Sequence, residues 1–395
     1  HKTSKGTPLK GMARVTHPLS SALFTSRRSS AAPSIVLAAP CSPGGISSCS
    51  HLKSHPKLSI RPGPGAHRLR TAVSSFGSTR SAPRCNPAVR AMASASDTSA
   101  FGPTVTAEWL SANLPSVKVV DASWYMPNAN RDRFAEFASE RIPGAVYLDI
   151  DGVADTSVPL PHMLPSAEQF GAAMDALGIS RSDAVVVYDG AGLFSAARGW
   201  FTFKAFGHPS AAVLAGGLPG WKAAGHGVDT AAPAVDAAAG KAAAAAPAGP
   251  PAYKAALDPS RVRSVEQMLA NVGSEKDLVV DARSAGRFEA TAPEPRAGLR
   301  GGHIPGSRNV PFDSLITGGA LKGPEEIRAV FSAAGAPLGA AGPPMVGSCG
   351  TGVTAAVLAL AAETAGGAPM AVYDGSWTEW GGREDTPIET GPAKP

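Results

Sequence analysis

The sequence predicts an α/β protein in which one domain, a parallel sheet flanked by helices, is written twice. Three matches carry this reading. "VKVVDAS" (117–123) recurs as "DLVVDAR" (277–283), "RIPGAVYLD" as "HIPGSRNVPFD", and "VVVYDG" as "PMVGSCG". The offset stays near about 160 residues, pairing Asp121 with Asp281, Ile142 with Ile304 and Asp189 with Cys349, and such steady spacing marks a duplicated unit. Within each copy, short β-branched runs alternate with helical patterns, which calls for parallel strands joined by right-handed crossovers.

The elements follow in chain order. Residues 1–95 are rich in Ser, Ala, Pro and Arg. They hold 14 Lys and Arg before the first acidic residue, Asp97. Basic, acid-free composition of this kind reads as an organelle transit peptide. Met12 is an expected translation start, and Met92 in "VRAMASAS" sits near the expected cleavage point. Chloroplast and mitochondrial signals overlap in composition, and "AVRAMA" favours a chloroplast. The first domain is expected over 103–228. In it Ser166 and Gln169 form a capping-box pattern ahead of Phe170, Met174 and Leu177 on one helical face, with Gly178 as the stop. Residues 229–256 are Ala and Pro rich and read as an interdomain linker. The second domain is expected over 257–392, where Pro324 suits a first helical turn, Ile327 and Phe331 share a face, and Gly335 ends the helix.

Charge and cysteine usage exclude several functions. The 36 basic residues include the 14 of the leading segment, so the remaining 22 face 31 acidic residues, a net −9. The basic total therefore gives no argument for nucleic acid. The longest apolar run, "VTAAVLALAA" (353–362), is far below the ~18 residues of a membrane span, so no membrane insertion is expected. Cys41, Cys49 and Cys85 fall in the leading segment and leave only Cys349 for the body. One cysteine builds neither a disulfide framework nor a zinc site, and in a glycine-rich loop it is a candidate nucleophile.

"MVGSCGTGVTAAVLALAAETAGG" reads as a strand end, a short loop and a helix closed by Gly366. With Gly350 and Gly352 free to adopt positive φ, the loop can curl until backbone N–H groups face the sulfur. Those donors and the positive helix terminus stabilise an anionic sulfur, whether thiolate or persulfide. Cysteine phosphatases use a similar loop but need an Arg six positions after the Cys, where this chain has Ala355. The first copy has Asp189 in place of Cys349, and a carboxylate forms no persulfide. That copy is expected to shape a cleft without carrying sulfur.

The tandem repeat, the two "IPG" segments, "CGTGVT" and "YDGSWTEW" (373–380) together resemble the thiosulfate and mercaptopyruvate sulfurtransferases, proteins with two rhodanese-like domains; the resemblance covers about residues 103–390. It implies a ping-pong sulfurtransferase with Cys349 as carrier and no cofactor. Family members that prefer thiosulfate usually carry a basic pair after the Cys, so "CGTG" implies 3-mercaptopyruvate as donor. Arg287 and Arg296 match the arginines that bind the donor's carboxylate and carbonyl, with Arg300 as a spare, while Gly350, Gly352, Val353 and Thr354 complete the donor-binding loop. Thr351, in a slot often held by Ser, would form a proton relay with His162 and Asp151. Arg283, His303, Asp374, Trp377 and Glu379 are expected to be structural. Acceptors implied are cyanide, small thiols or thioredoxin. A thiosulfate:cyanide sulfurtransferase and a persulfide carrier without efficient turnover are the alternatives.

Overall fold

The computed structural model describes residues 102–233, 249–339 and 342–394. The expected transit segment, with its three cysteines, lies outside the described residues, as do 234–248 of the expected linker. The first copy runs β1 (Thr104–Val105), α1 (Ala107–Asn113), β2 (Val117–Asp121), α2 (Arg133–Ser139), β3 (Val146–Tyr147), α3 (Ala167–Ala176), β4 (Ala184–Tyr188), α4 (Ala196–Ala205), β5 (Ala211–Leu214) and α5 (Gly217–Ala223). The second runs β6 (Val262–Arg263), α6 (Val265–Ser274), β7 (Leu278–Asp281), α7 (Ala285–Phe288), β8 (Arg308–Asn309), a hairpin of β9 (Ile316–Thr317) and β10 (Ala320–Leu321), α8 (Pro324–Ala333), β11 (Met345–Ser348), α9 (Ala355–Thr364), β12 (Ala371–Tyr373) and α10 (Ser376–Trp380).

The two main sheets have the orders β1-β5-β4-β2-β3 and β6-β12-β11-β7-β8. Every neighbour pair in both is parallel. The repeat seen in the sequence is thus a repeat of topology. Local signals hold as well. The Ser166 hydroxyl accepts from Gln169 N–H while the Gln169 side chain accepts from Ser166 N–H, and Gly178 ends α3 with φ +65°.

Strand residues alternate between two environments, as a pleated sheet requires. Val120, Val185, Val187 and Val280 face an apolar core shared by both copies, whereas Val119, Val186 and Val279 face separate outer cores. α4 and α9 pack against each other in the shared core. Every residue from Ala355 to Ala362 is buried, which accounts for a helix apolar on all sides without any membrane. Among the described residues no helix is long and apolar enough to cross one.

The expected linker needs a correction at its far end. Asp175 accepts from the N–H groups of Ala252 and Tyr253, and buried Tyr253 pairs its hydroxyl with His208 at 2.8 Å. Residues 251–254 therefore dock on the first domain. One large aromatic outweighs the Ala and Pro around it, because burying a ring removes far more apolar surface than any neighbour could.

Candidate active site

Cys349 stands between β11 and α9, buried with a free thiol. Gly352 N–H donates to its sulfur at 3.1 Å, and Ser376 Oγ accepts from Cys349 N–H at 3.2 Å. Gly352 adopts φ +80°, where a side chain would be strained, while Gly350 keeps an ordinary φ. The loop thus curls through one positive-φ glycine instead of two. Its outer side is held by α10: Trp377 N–H donates to Cys349 C=O, and the Thr378 N–H and hydroxyl both donate to Gly350 C=O. "SWTEW" is therefore the clamp on the reactive loop, a role that its apolar repetition in the first copy did not disclose.

The first copy shows what such a loop holds. Asp189 occupies the position of Cys349, and its carboxylate accepts from the N–H groups of Ala191, Phe194 and Ala196 at 2.7–2.9 Å. The Asp189 side chain fills that cradle. Thr351, Thr354 and Ala356 occupy the matching positions of the second copy, where no carboxylate stands.

A cleft of about 300 Å³ opens above the sulfur, lined by Cys349, Gly350, Thr351, Val353, Thr354, Arg287, Arg296, Trp124, Phe194 and Phe312 among others. Both copies contribute to it. Arg287 sits at the end of α7 with its Nη2 3.3 Å from where a Cβ on Gly350 would stand. Buried Glu294 grips that guanidinium through Nε at 3.2 Å and Nη2 at 2.6 Å, and also takes Arg283 Nη1 at 2.8 Å. Glu294 was missed in the sequence, since a lone loop glutamate carries no pattern. Arg296 forms no ion pair or hydrogen bond among the described residues and lines the cleft.

Arg283, Arg300 and His303 are engaged within the fold. Arg283 grips Asp281 and lies over the Trp377 ring, Arg300 donates to the carbonyls of Trp380, Gly381 and Thr386, and His303 stacks on Phe288 with centroids 3.7 Å apart. Arg300 is thereby removed as a spare donor ligand, because its fork is committed to backbone.

His162 and Asp151 meet in the first domain beside the cleft. His162 Nδ1 lies 2.6 Å from Asp151 Oδ1, a close contact without hydrogen-bond alignment, and His162 Nε2 has no hydrogen-bond partner among the described residues. Trp124 Nε1 and Arg133 each donate to Asp151 Oδ2 at 2.9 Å. Burial works to raise the Asp151 carboxyl, but His162, Arg133 and Trp124 outweigh it and hold it below the usual carboxylate range. No hydrogen bond joins Thr351 to His162. Among the described residues no group of three or more His, Cys, Asp or Glu side chains could hold a metal ion.

A cysteine whose sulfur accepts from a backbone N–H in the second of two parallel-sheet domains, with an aspartate in its place in the first, defines the class: a tandem sulfurtransferase. The family model for the rhodanese-like domain matches residues 106–224 and 264–383, and the chain belongs to the rhodanese family. It is 43% identical over 310 residues to the mitochondrial thiosulfate/3-mercaptopyruvate sulfurtransferase 1 of Arabidopsis thaliana, covering 75% of this chain and 80% of that one. To the 3-mercaptopyruvate sulfurtransferase of Rattus norvegicus it is 42% identical over 289 residues, covering 71% and 92%. The crystal structure of SseA from Escherichia coli, described with the rhodanese fold of 3-mercaptopyruvate sulfotransferases, superposes with TM-score 0.60 at 35% identity over 70% of this chain and 99% of that one.

Proposed function

We propose that this chain moves sulfur from 3-mercaptopyruvate through a persulfide on Cys349 to a thiol or cyanide acceptor, releasing pyruvate. The observation that carries this reading is the Cys349 loop itself: Gly352 N–H meets the sulfur at the floor of a cleft that holds Arg287 and Arg296, while 350–354 contain no cation. The Cys349 sulfur attacks the donor's sulfur. The donor's C–S bond breaks with its electron pair on carbon, giving the pyruvate enolate, and the donor's thiol proton balances the one the enolate takes up. The transferred sulfur stays on Cys349. Asp189 supplies the template for its place, so the N–H groups of Thr351, Thr354 and Ala356 are assigned to the outer sulfur.

Arg287 and Arg296 are assigned to the keto acid's carboxylate and carbonyl, since a guanidinium fork suits both. Thr351, His162 and Asp151 are assigned to proton delivery to the enolate; Thr351 faces the cleft and the His162–Asp151 pair stands beside it. Gly350, Val353 and Thr354 shape the donor's seat. In the second half-reaction cyanide leaves as thiocyanate. With thiols, one takes the sulfur and a second releases it as hydrogen sulfide with a disulfide left behind, which a thioredoxin dithiol does alone. Residues 1–95 are proposed to deliver the protein to a chloroplast or mitochondrion, and imaging of a fluorescent fusion distinguishes the two.

Steady-state assay with both donors tests the reading. High kcat/KM on 3-mercaptopyruvate with poor use of thiosulfate is expected; the reverse ranking, or a stable persulfide with no turnover on either donor, contradicts it.

A further inference from the structure

Arg198 belongs to α4 of the domain that carries no sulfur, yet its guanidinium ends behind the reactive loop of the other domain. It is buried, and it serves three groups. Nη2 donates to Asp374 Oδ1 at 2.6 Å and to the His162 carbonyl at 2.5 Å, while Nη1 reaches the Gly352 carbonyl at 3.5 Å. The second oxygen of Asp374 accepts from Leu164 N–H at 2.7 Å. One ion pair therefore ties together the 162–164 segment, the Cys349 loop and the chain leading into α10.

Each of those three segments needs holding. His162 sits at φ +62°, a left-handed conformation that a non-glycine residue adopts only when its surroundings enforce it. Gly352 at φ +80° has the freedom to rotate, and its N–H is the one that meets the sulfur. The Arg198 fork is also 3.0 Å from the place of a Cβ on Gly352, so it closes that side of the loop against movement. α10 in turn clamps the carbonyls of Cys349 and Gly350, and α10 starts two residues after Asp374.

We infer that Arg198 is a positioning residue for sulfur transfer: anchored by Asp374, it holds the Gly352 and His162 carbonyls itself, and so fixes Gly352 N–H on the Cys349 sulfur and the His162 backbone beside the cleft, without touching the donor. The non-catalytic domain then contributes to the chemistry through a guanidinium as well as through the cleft wall. A lysine preserves the charge but is a single point, unable to serve Asp374, His162 and Gly352 together.

The test is Arg198→Lys in the full chain, and it rests on Cys349 being the sulfur carrier. Three quantities are measured: 3-mercaptopyruvate kinetics, the rate of Cys349 alkylation by iodoacetamide without donor, followed on the Cys349 peptide, and thermal unfolding. Expected are a kcat lower by about ten-fold or more, a KM changed by less than about three-fold, and slower alkylation, in a protein that remains folded. The alkylation needs no sulfur donor, so it separates this inference from the choice of donor. Kinetics and alkylation both within about two-fold of wild type would show that Arg198 only staples the domains. Should Arg198→Lys fail to fold, Arg198→Met with Asp374→Asn removes both buried charges together and is judged by the same criteria.

Discussion

At the scale of single residues, the two copies solve one electrostatic problem in opposite ways. Asp281 ends β7 in the grip of Arg283, while its counterpart Asp121 ends β2 with Ser123 where the arginine would be. Desolvation pushes the Asp121 carboxyl up to about 6, against hydrogen bonds from Ser123 and Tyr188 that pull it down. Its folded value lies above its unfolded one, so the stability linked to protonated Asp121 is present below about 3.8 and is lost as pH rises through about 6. Asp121→Asn should therefore unfold later than wild type at pH 8, by up to about 3 kcal/mol, with the advantage shrinking toward pH 4. Denaturant titrations at the two pH values check this, and an advantage that does not change with pH would contradict it. The proposed substrate arginines give a second expectation. Arg287→Ala or Arg296→Ala should cost about 1.5–3 kcal/mol, or roughly 10- to 150-fold in kcat/KM for 3-mercaptopyruvate, as befits a lost hydrogen bond to a charged group. Unchanged kinetics in both variants would take these arginines out of the donor site.

Individual elements were legible where local pattern determines them and obscure where distance does. Ser166 with Gln169, Pro324, Gly335 and the strand–loop–helix around Cys349 all announce themselves within a few residues of sequence. Arg198 pairs with Asp374 across 176 positions, and Glu294 serves arginines on a loop of irregular shape, so neither leaves a periodic trace. Tyr253 was hidden by its Ala and Pro neighbours. The reactive loop supplies the prediction at this scale. Gly350→Arg with Thr351→Lys should raise thiosulfate turnover and depress 3-mercaptopyruvate turnover, because the new cations stand beside the sulfur and the Gly350 side chain would meet Arg287 Nη2 at 3.3 Å. Equal losses on both donors would mean that the loop had merely been deformed.

For the whole molecule, the shared core decides behaviour. Val120, Val187 and Phe201 of the first copy join Val280, Leu358 and Val372 of the second in one apolar cluster. The two domains that the sequence displayed thereby share one core and are expected to unfold as a single cooperative unit. Calorimetry should show one transition with matching calorimetric and van't Hoff enthalpies, whereas two resolved transitions would mean that α4 and α9 only touch. The same joining places Trp124 and Phe194 of one copy over Cys349 of the other, so the cleft exists only in the pair. What the cleft is for rests on Cys349, and the most direct measurement is peptide mass mapping of the full chain after 3-mercaptopyruvate treatment. One added sulfur on the peptide bearing Cys349, and none there together with no turnover in Cys349→Ser, is the predicted result; turnover by Cys349→Ser would contradict it.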